Sequence, residues 1–246
     1  MGDRIGSSPI TRTDQSGFFE MEKSGFFIWL PEAFGGIFMT EHELKFMTDR
    51  GGYEAAINIL LDMCKGGKAV RVRDRIQVNY YYDTPDRDLH KSGVTLRIRQ
   101  SGGVLQGQIK RHSKGLTNKS EESYFAVDQL PSVILFEGEK AKLLGSLVTR
   151  RTEFAVESGE NGKSGEKLIA DIDANYYLGR EDYELEIEYP EGSEGTARKL
   201  ACSLGAAFMS GKSGKYSRFL KALKDSKKAV VDCGEIETDS GENVEI

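Results

Sequence analysis

The stretch Glu41–Phe46, which reads Glu-His-Glu-Leu-Lys-Phe, decides how this chain is interpreted. Its charged residues Glu41, Glu43 and Lys45 alternate with more apolar ones, which predicts a β-strand because successive side chains of a strand point to opposite faces. Two carboxylates and an ammonium group would therefore share one face. A single strand of this kind is typical of a solvated sheet surface, so its meaning depends on whether other strands repeat the design.

Composition narrows the class of protein. The 246-residue chain has a net charge of −5, and the residues from Asp225 onward account for all of it, so residues 1–224 are formally neutral. A nucleic-acid-binding protein more often has a basic body, and we therefore expect no nucleic-acid partner. Cys64, Cys202 and Cys233 lie far apart and fit no zinc spacing, which favours reduced thiols in a cytoplasmic protein.

The two ends of the chain differ from its middle. Residues 1–38 are Gly- and Ser-rich at first and then carry an apolar run, Phe26–Leu30. That run is shorter than the ~20 residues that span a bilayer, and no basic start of a signal peptide precedes it directly. We predict a flexible leader that packs loosely or contacts a partner, and no membrane association. The acidic residues 225–246 predict a mobile tail.

Between these ends, alternating or β-branched composition predicts strands, joined into hairpins by Gly-rich turns at Ser101–Gly103 and 158–165. The predicted strands cover residues 70–75, 77–82, 95–99, 105–110, 122–127, 150–156, 168–173 and 183–189. The predicted helices cover residues 53–65, 86–91, 132–147, 196–204 and 216–224. Hairpins in this order, with helices between them, indicate an α+β protein whose antiparallel sheet closes into a barrel.

Charged faces recur along these strands. The recurring residues are Arg97, Arg99, Lys110, Arg151, Glu184, Glu186 and Glu188. Such repetition favours a polar tunnel inside the barrel, where carboxylates bind a hard divalent cation and Arg and Lys bind a polyanion. Arg71, Arg73 and Arg75 also alternate, and they either face this tunnel or lie on a solvated face.

The order of these motifs resembles that of the CYTH family, the triphosphate tunnel metalloenzymes. The resemblance rests on Glu-x-Glu-x-Lys at Glu41–Lys45, on Tyr81–Pro85, on Leu96–Arg99, and on the lysine strand and Glu-x-Glu strand that follow. It covers about residues 40–224, and it is closest to a bacterial branch. It implies an eight-stranded antiparallel β-barrel with helices packed outside, formed by a domain of residues 39–224.

The resemblance also implies roles for individual residues. Glu41, Glu43 and Lys45 would form the catalytic set, with the two glutamates as metal ligands and the lysine as a phosphate contact. The triphosphate would contact Arg97, Arg99, Lys110 and Arg151. Further metal ligands would be Glu186, Glu188 and either Asp171 or Asp173. The last phosphate contact would come from Lys215 or Arg218, with Lys212 as a competing candidate.

The family includes inorganic and thiamine triphosphatases and class IV adenylyl cyclases. The resemblance therefore implies hydrolysis of a triphosphate with Mg²⁺ or Mn²⁺, the substrate being inorganic tripolyphosphate or a nucleoside or thiamine triphosphate. The first alternative is a cyclase that converts ATP to cyclic AMP and diphosphate. The second is a module that binds polyphosphate or nucleotide without turnover. A homodimer through the outer face of the barrel is possible, although no stripe of residues requires one.

Overall fold

The computed structural model describes residues 18–21, 25–30, 39–112, 119–157, 167–205, 209–210 and 213–233. The strands are β1 (Phe18–Met21), β2 (Gly25–Leu30), β3 (Met39–Thr48), β4 (Ala69–Asp83), β5 (Val94–Ser101), β6 (Val104–His112), β7 (Lys119–Ala126), β8 (Val133–Phe136), β9 (Glu139–Glu157), β10 (Lys167–Tyr177), β11 (Arg180–Glu188) and β12 (Met209–Ser210). The helices are α1 (Arg50–Lys65), α2 (Asp88–Lys91), α3 (Glu194–Ser203) and α4 (Lys215–Cys233).

A closed ring of strand pairings forms the centre of the molecule. The order around the ring is β9, β10, β11, β3, β7, β6, β5 and β4, and β4 pairs back onto β9. All eight pairings are antiparallel, and the closing one runs from Ala69 opposite Val156 to Asp83 opposite Lys142. The predicted α+β fold with an eight-stranded antiparallel barrel is confirmed.

The main apolar core lies outside the ring, between its wall and α1 and α3. Leu44 and Phe46 of β3 are buried there together with Leu60 of α1 and Ala197 of α3. The Asp49 carboxylate caps α1 by accepting a hydrogen bond of 2.8 Å from the Gly52 backbone amide. Because strand side chains alternate, burying Leu44 and Phe46 outside turns Glu43 and Lys45 to the inside of the ring.

The helix α4 packs over one end of the ring. Phe219 is completely buried and contacts Tyr81 of β4, with ring centroids 5.4 Å apart. Gly145 makes room for it: its φ is +147°, and a Cβ there would lie 2.9 Å from Phe219 Cζ. Since an L-residue rarely adopts that φ and would also collide with the ring, only glycine suits this position.

The helix predicted over residues 132–147 is wrong. The segment forms β8 and the first part of β9, joined by Glu137 and Gly138 with φ of 51° and 82°. Two consecutive positive φ values are typical of the tight turns that connect hairpin strands. The Lys- and Leu-rich composition favours a helix locally, but pairing of β9 with β4, β8 and β10 outweighs that preference.

Two other boundaries differ from the prediction. The apolar run of the predicted loose leader forms β2, which pairs in parallel with β8, Phe27 lying opposite Val133. The last helix continues to Cys233 rather than ending at Lys224. The predicted turn at 158–165 and residues 234–246 of the predicted tail lie outside the described residues. Within the described part of the chain, no helix is long and apolar enough to cross a membrane.

Candidate active site

The inside of the ring is lined mainly by polar and charged side chains, most of them buried. These residues are Glu43, Lys45, Gln77, Asn79, Arg97, Arg99, Gln108, Lys110, Glu122, Thr149, Arg151, Glu153, Asp171, Asp173, Asn175, Glu184 and Glu186. Contacts between strands that are not neighbours place them in one cavity. For example, Lys110 of β6 lies 3.5 Å from Glu43 of β3, with β7 between them in the ring.

Arg151 is the hub of the carboxylates contributed by β10 and β11. Its guanidinium donates to both oxygens of Asp173, with Nε at 2.8 Å and Nη2 at 2.6 Å. It also forms short ion pairs with Asp171 and Glu186. Burial alone would lower the pKa of Arg151, but the three carboxylates outweigh it and hold the pKa well above the usual value. The guanidinium therefore stays charged and binds the three strands β9, β10 and β11 together.

Two lysines also contact these carboxylates and Glu184. Lys45 Nζ lies 2.8 Å from Glu186 and 3.3 Å from Glu184. Lys215, at the start of α4, places its Nζ 2.9 Å from Asp173 and 2.8 Å from Glu186. Burial opposes charge on both lysines, yet the carboxylates raise the pKa of each above the ordinary value. We call Glu43, Asp171, Asp173, Glu184 and Glu186 the acidic wall.

Asp171 differs from its neighbours on the acidic wall. Burial raises its pKa to about 7, because the attraction of Arg151 is smaller and Asp173 and Glu186 repel its charge. Burial also opposes the charge of Asp173 and Glu186, but the attraction of Arg151 and Lys215, among others, is larger there. The pKa of each of these two carboxyls is therefore lowered. One oxygen of Asp171, Oδ1, is buried and accepts no hydrogen bond within the described chain. It is therefore available as a ligand atom.

Across the cavity from the acidic wall lie two arginines of β5, which donate hydrogen bonds to neutral side-chain amides. Arg97 Nε donates to Gln108 Oε1 at 2.6 Å, and Arg99 Nε donates to Asn79 Oδ1 at 2.9 Å. Neither arginine forms an ion pair with a carboxylate of the described residues. Burial, together with repulsion from Arg97 and Arg151, lowers the pKa of Arg99 to about 9. We call Arg97 and Arg99, with Asn79 and Gln108, the arginine wall.

Glu43 and Glu122 connect the two walls through Lys110. Lys110 Nζ lies 2.9 Å from Glu122 and 3.5 Å from Glu43. Glu122 also accepts hydrogen bonds from Tyr124, at 2.6 Å, and from Gln108. Burial opposes its charge, but Lys110 and Arg97 prevail and lower its pKa to about 2. Lys110 is thereby held over the cavity between both walls.

The structure brings most of the residues expected from the sequence together in this cavity. Asp171 and Asp173 both face it, so no choice between them is needed. Glu188 lies farther along the same face of β11, opposite Glu43 in register. Glu41 lies opposite Ser120, but its side chain falls outside the described residues, as does Lys212. The roles assigned to all of these residues stay predictions.

The remaining basic residues split between the cavity and the surface. Arg218, expected as a phosphate contact, reaches Glu184 at 2.6 Å and Asp182 at 2.9 Å from α4. Arg75 is half-buried and lies 3.0 Å from Glu153, whereas Arg71 and Arg73 are exposed. Of the three arginines that the sequence left undecided, only Arg75 faces the interior.

Sequence reasoning assigned no role to several residues that the cavity uses. Glu122, Glu153, Asn79 and Gln108 are buried in it, and Glu184 was noted only for its charge. The alternation of Ser120, Glu122 and Tyr124 could have indicated that Glu122 points inward. No comparable signal marks the two amides, because a neutral side chain indicates no chemistry without its neighbours.

The donor set of the acidic wall fits a hard divalent cation, which prefers carboxylate oxygens. Among the described residues, Asp171 Oδ1 has no hydrogen-bond partner, and Glu184 Oε1 has only its 3.3 Å ion-pair contact with Lys45. No group of three or more His, Cys, Asp or Glu in the described part of the chain is arranged to hold a metal ion as it stands. The physical reason is that Lys45, Arg151 and Lys215 contact the same oxygens.

Comparisons with known proteins agree with this geometry. A family model described as "CYTH domain" matches residues 39–208. The Bacillus subtilis protein "Putative triphosphatase YjbK" is 30% identical over 133 residues, which cover 48% of this chain and 65% of that protein, just under two thirds of its length.

Solved structures share the fold. One is described as a "putative adenylate cyclase" from Bacillus halodurans (TM-score 0.54, 21% identity, 74% of this chain, 98% of that chain). Another is a Hippeastrum protein described as a "putative adenylyl cyclase" with a dominant triphosphatase activity (TM-score 0.54, 17% identity, 74% and 95%). At these identities the two show the fold alone. Since the family model spans more than half of the chain, and the ring and the order of motifs agree with it, this chain belongs to the CYTH domain family.

Proposed function

We propose that this protein hydrolyses a triphosphate in the cavity of the ring, with the help of a divalent metal ion. The observation that carries the proposal is the division of the cavity into an arginine wall and an acidic wall. A polyphosphate bound to a metal ion carries both signs of charge, and it matches such a cavity on both sides.

The arginine wall would receive the phosphate oxygens. The Nε atoms of Arg97 and Arg99 are used by amides, which leaves the two Nη atoms of each guanidinium as a fork for an anion. Lys110 contributes a further positive charge beside them. The burial that lowers the pKa of Arg99 also strengthens its attraction for an anion, because water screens the charge less.

On the acidic wall, a polyphosphate would compete for Lys45, Arg151 and Lys215. As these cations turn towards phosphate oxygens, the oxygens of Glu43, Asp171, Asp173, Glu184 and Glu186 become available to hold the metal. The metal would supply Lewis-acid stabilisation of charge on the phosphate oxygens and would orient the attacking water. The lysines and arginines stabilise the negative charge that develops on the leaving group.

The relatives support a phosphoanhydride reaction and rank hydrolysis first. YjbK carries the name of a triphosphatase, and the Hippeastrum protein is described with a dominant triphosphatase activity. A cyclase would use the same two walls with a ribose hydroxyl in place of water. The products therefore distinguish the two reactions.

The test is a product assay on the purified full chain with Mg²⁺ and, separately, Mn²⁺. Tripolyphosphate, ATP and thiamine triphosphate are offered one at a time, and the products are resolved by chromatography. Metal-dependent release of orthophosphate supports the proposal and identifies the substrate. Formation of cyclic AMP and diphosphate from ATP would show that the protein is a cyclase. Binding without turnover would show that it is a module that only captures the anion.

Glu43→Gln sharpens this test. Glu43 lies between Lys45 and Lys110, and its pKa is lowered because these lysines outweigh the effect of burial. A metal ligand lost at this position should reduce turnover at least about 100-fold, the size expected when a group acting in the transition state is removed. Binding of metal-free tripolyphosphate should survive or tighten, since a negative charge has gone. Unchanged turnover would show that Glu43 is not part of the active site.

A further inference from the structure

Two neutral polar groups on the inner face of β4 are buried and have no hydrogen-bond partner among the described residues. They are Asn79 Nδ2 and Tyr81 Oη, on residues that are 1% and 0% exposed. Positions i and i+2 of a strand lie about 7 Å apart on the same face. A buried donor without a partner is costly, and in native proteins it usually has a ligand, water or functional explanation.

The orientation of the Asn79 amide is fixed by its neighbour. Arg99 can only donate hydrogen bonds, so the atom 2.9 Å from its Nε must be the amide oxygen of Asn79. The amide nitrogen is thereby turned away from Arg99. It carries two N–H groups, and none of them meets an acceptor in the described chain.

The hydroxyl of Tyr81 is equally unable to find a partner by moving. Its ring stacks on Tyr216 of α4 with centroids 4.8 Å apart and also contacts Phe219. Other buried tyrosines of this chain do not share the problem. Tyr82 donates to the Pro131 carbonyl at 2.7 Å, and Tyr216 donates to Asp83 at 2.6 Å.

Arg99 lies close to both groups. It lies opposite Asn79 in register, and Tyr81, which lies opposite Arg97, is its diagonal neighbour on the same face. Diagonal neighbours lie about 7–8 Å apart, within reach of long and aromatic side chains. The charge of Arg99 has no carboxylate partner among the described residues. A buried cation beside two buried donors that find no acceptor among the described residues suits an anion and does not suit a metal ion.

We propose that Arg99, the Asn79 amide and the Tyr81 hydroxyl form an oxyanion pocket at the α4 end of the cavity, and that it binds one phosphoryl group of the substrate. This pocket rests on the proposed function for its ligand. It places the phosphoryl group nearest α4 between the Arg99 fork and the two donors. Asn79 both orients Arg99 through its oxygen and contacts the anion through its nitrogen.

The decisive variant is Tyr81→Phe, because it removes the hydroxyl and keeps the stacked ring. Without a ligand its free energy of unfolding should be unchanged or higher, since an unpaired buried group has been removed. Its Kd for tripolyphosphate, measured calorimetrically with EDTA present, should rise about tenfold, the loss expected for one hydrogen bond to a charged group.

Two matched controls separate binding from structure. Tyr82→Phe removes a satisfied hydroxyl from the other face of the same strand, so it should lower stability and leave Kd unchanged. Asn79→Asp keeps the oxygen facing Arg99 but loses the donor and adds a negative charge, and it should raise Kd by more than Tyr81→Phe does. Asn58→Asp makes the same charge change on the exposed side of α1 and should not affect Kd.

The outcomes distinguish this pocket from the proposed function. If Tyr81→Phe loses stability and binds tripolyphosphate as the wild type does, the hydroxyl is structural and the pocket is wrong. The same conclusion follows if both quantities stay unchanged, which would point to a buried water instead. If the wild type binds tripolyphosphate without hydrolysing it, the proposed hydrolysis is wrong. A higher Kd in Tyr81→Phe and Asn79→Asp would still support the pocket in that case. Failure of the wild type to bind tripolyphosphate or inorganic phosphate overturns the pocket as well.

Discussion

The acidic wall and the arginine wall use their charges in opposite ways. On the acidic wall every cation is shared: Arg151 contacts Asp171, Asp173 and Glu186, Lys45 contacts Glu184 and Glu186, and Lys215 contacts Asp173 and Glu186. On the arginine wall, Arg97 and Arg99 contact the neutral amides of Gln108 and Asn79. The first wall balances its charge internally, and the second leaves positive charge for a ligand.

This difference predicts that a cation removed from each wall has a different consequence. Loss of a shared cation leaves buried carboxylates unpaired, which costs stability. Loss of an arginine held by amides removes a buried charge that forms no ion pair with a carboxylate of the described residues, which costs binding. The walls can therefore be told apart by comparing stability with affinity in matched variants.

The largest effect is expected for Arg151→Met compared with Arg99→Met. Arg151→Met leaves three buried carboxylates without their guanidinium, and we expect it to lower the free energy of unfolding by about 3–5 kcal/mol. Arg99→Met should leave it unchanged or raise it. Urea unfolding at pH 7 in EDTA measures both variants, and equal losses would show that the two walls do not differ.

A carboxylate placed on the arginine wall should make it resemble the acidic wall. Gln108→Glu would pair with Arg97 and occupy part of its fork, so the Kd for tripolyphosphate should rise about tenfold, as for the loss of one charged contact. Gln100→Glu is the control, because Gln100 lies on the outer face of the same hairpin, where it accepts a hydrogen bond from Tyr80. Equal Kd values for the two variants would mean that Arg97 does not bind the anion.

The same two walls show how far the sequence could be interpreted. Period-2 alternation predicted the strands that carry Lys45, Arg97 and Arg151, and the repetition of charged faces on several strands favoured their placement inside. The structure agrees, because their apolar neighbours form the outer core. Alternation acts on each strand by itself and needs no tertiary contact. This is why most of the ring and the charged part of the site could be predicted.

What the sequence could not provide depends on contacts between distant strands. Asn79 and Gln108 acquire their role only because Arg99 and Arg97 lie opposite them in register. The segment 132–147 has a helical composition, and its strands are stabilised by pairing with β4 and β10, far along the chain. Local preference alone carries no information about either arrangement.

A smaller effect should appear in the pH dependence of stability. The pKa of Asp171 is raised to about 7 from 3.8, so between these values the folded protein holds a proton that the unfolded chain has released. The free energy of unfolding must then fall as pH rises, by at most about 1.4 kcal/mol per pH unit. Urea unfolding from pH 5 to 7 in EDTA should show this slope in the wild type and a weaker one in Asp171→Asn. Parallel slopes would mean that the carboxyl is already charged at pH 5.

The smallest effects concern the rim of the cavity, where the two walls meet at β4 and β9. Arg73 and Arg75 both contact Glu153, but Arg73 is 56% exposed while Arg75 is 22% exposed, and its buried Nε has no hydrogen-bond partner in the described part of the chain. Arg73→Gln should change stability by less than about 0.5 kcal/mol and leave the tripolyphosphate Kd unchanged, because exposed ion pairs contribute little. Arg75→Gln should raise Kd roughly threefold, since a less solvated charge attracts an anion more strongly. If Arg73→Gln weakened binding as much as Arg75→Gln, the summed charge of the rim would attract the anion, whatever the exposure of each arginine. The distinction between the two walls would then hold inside the cavity and not at its rim.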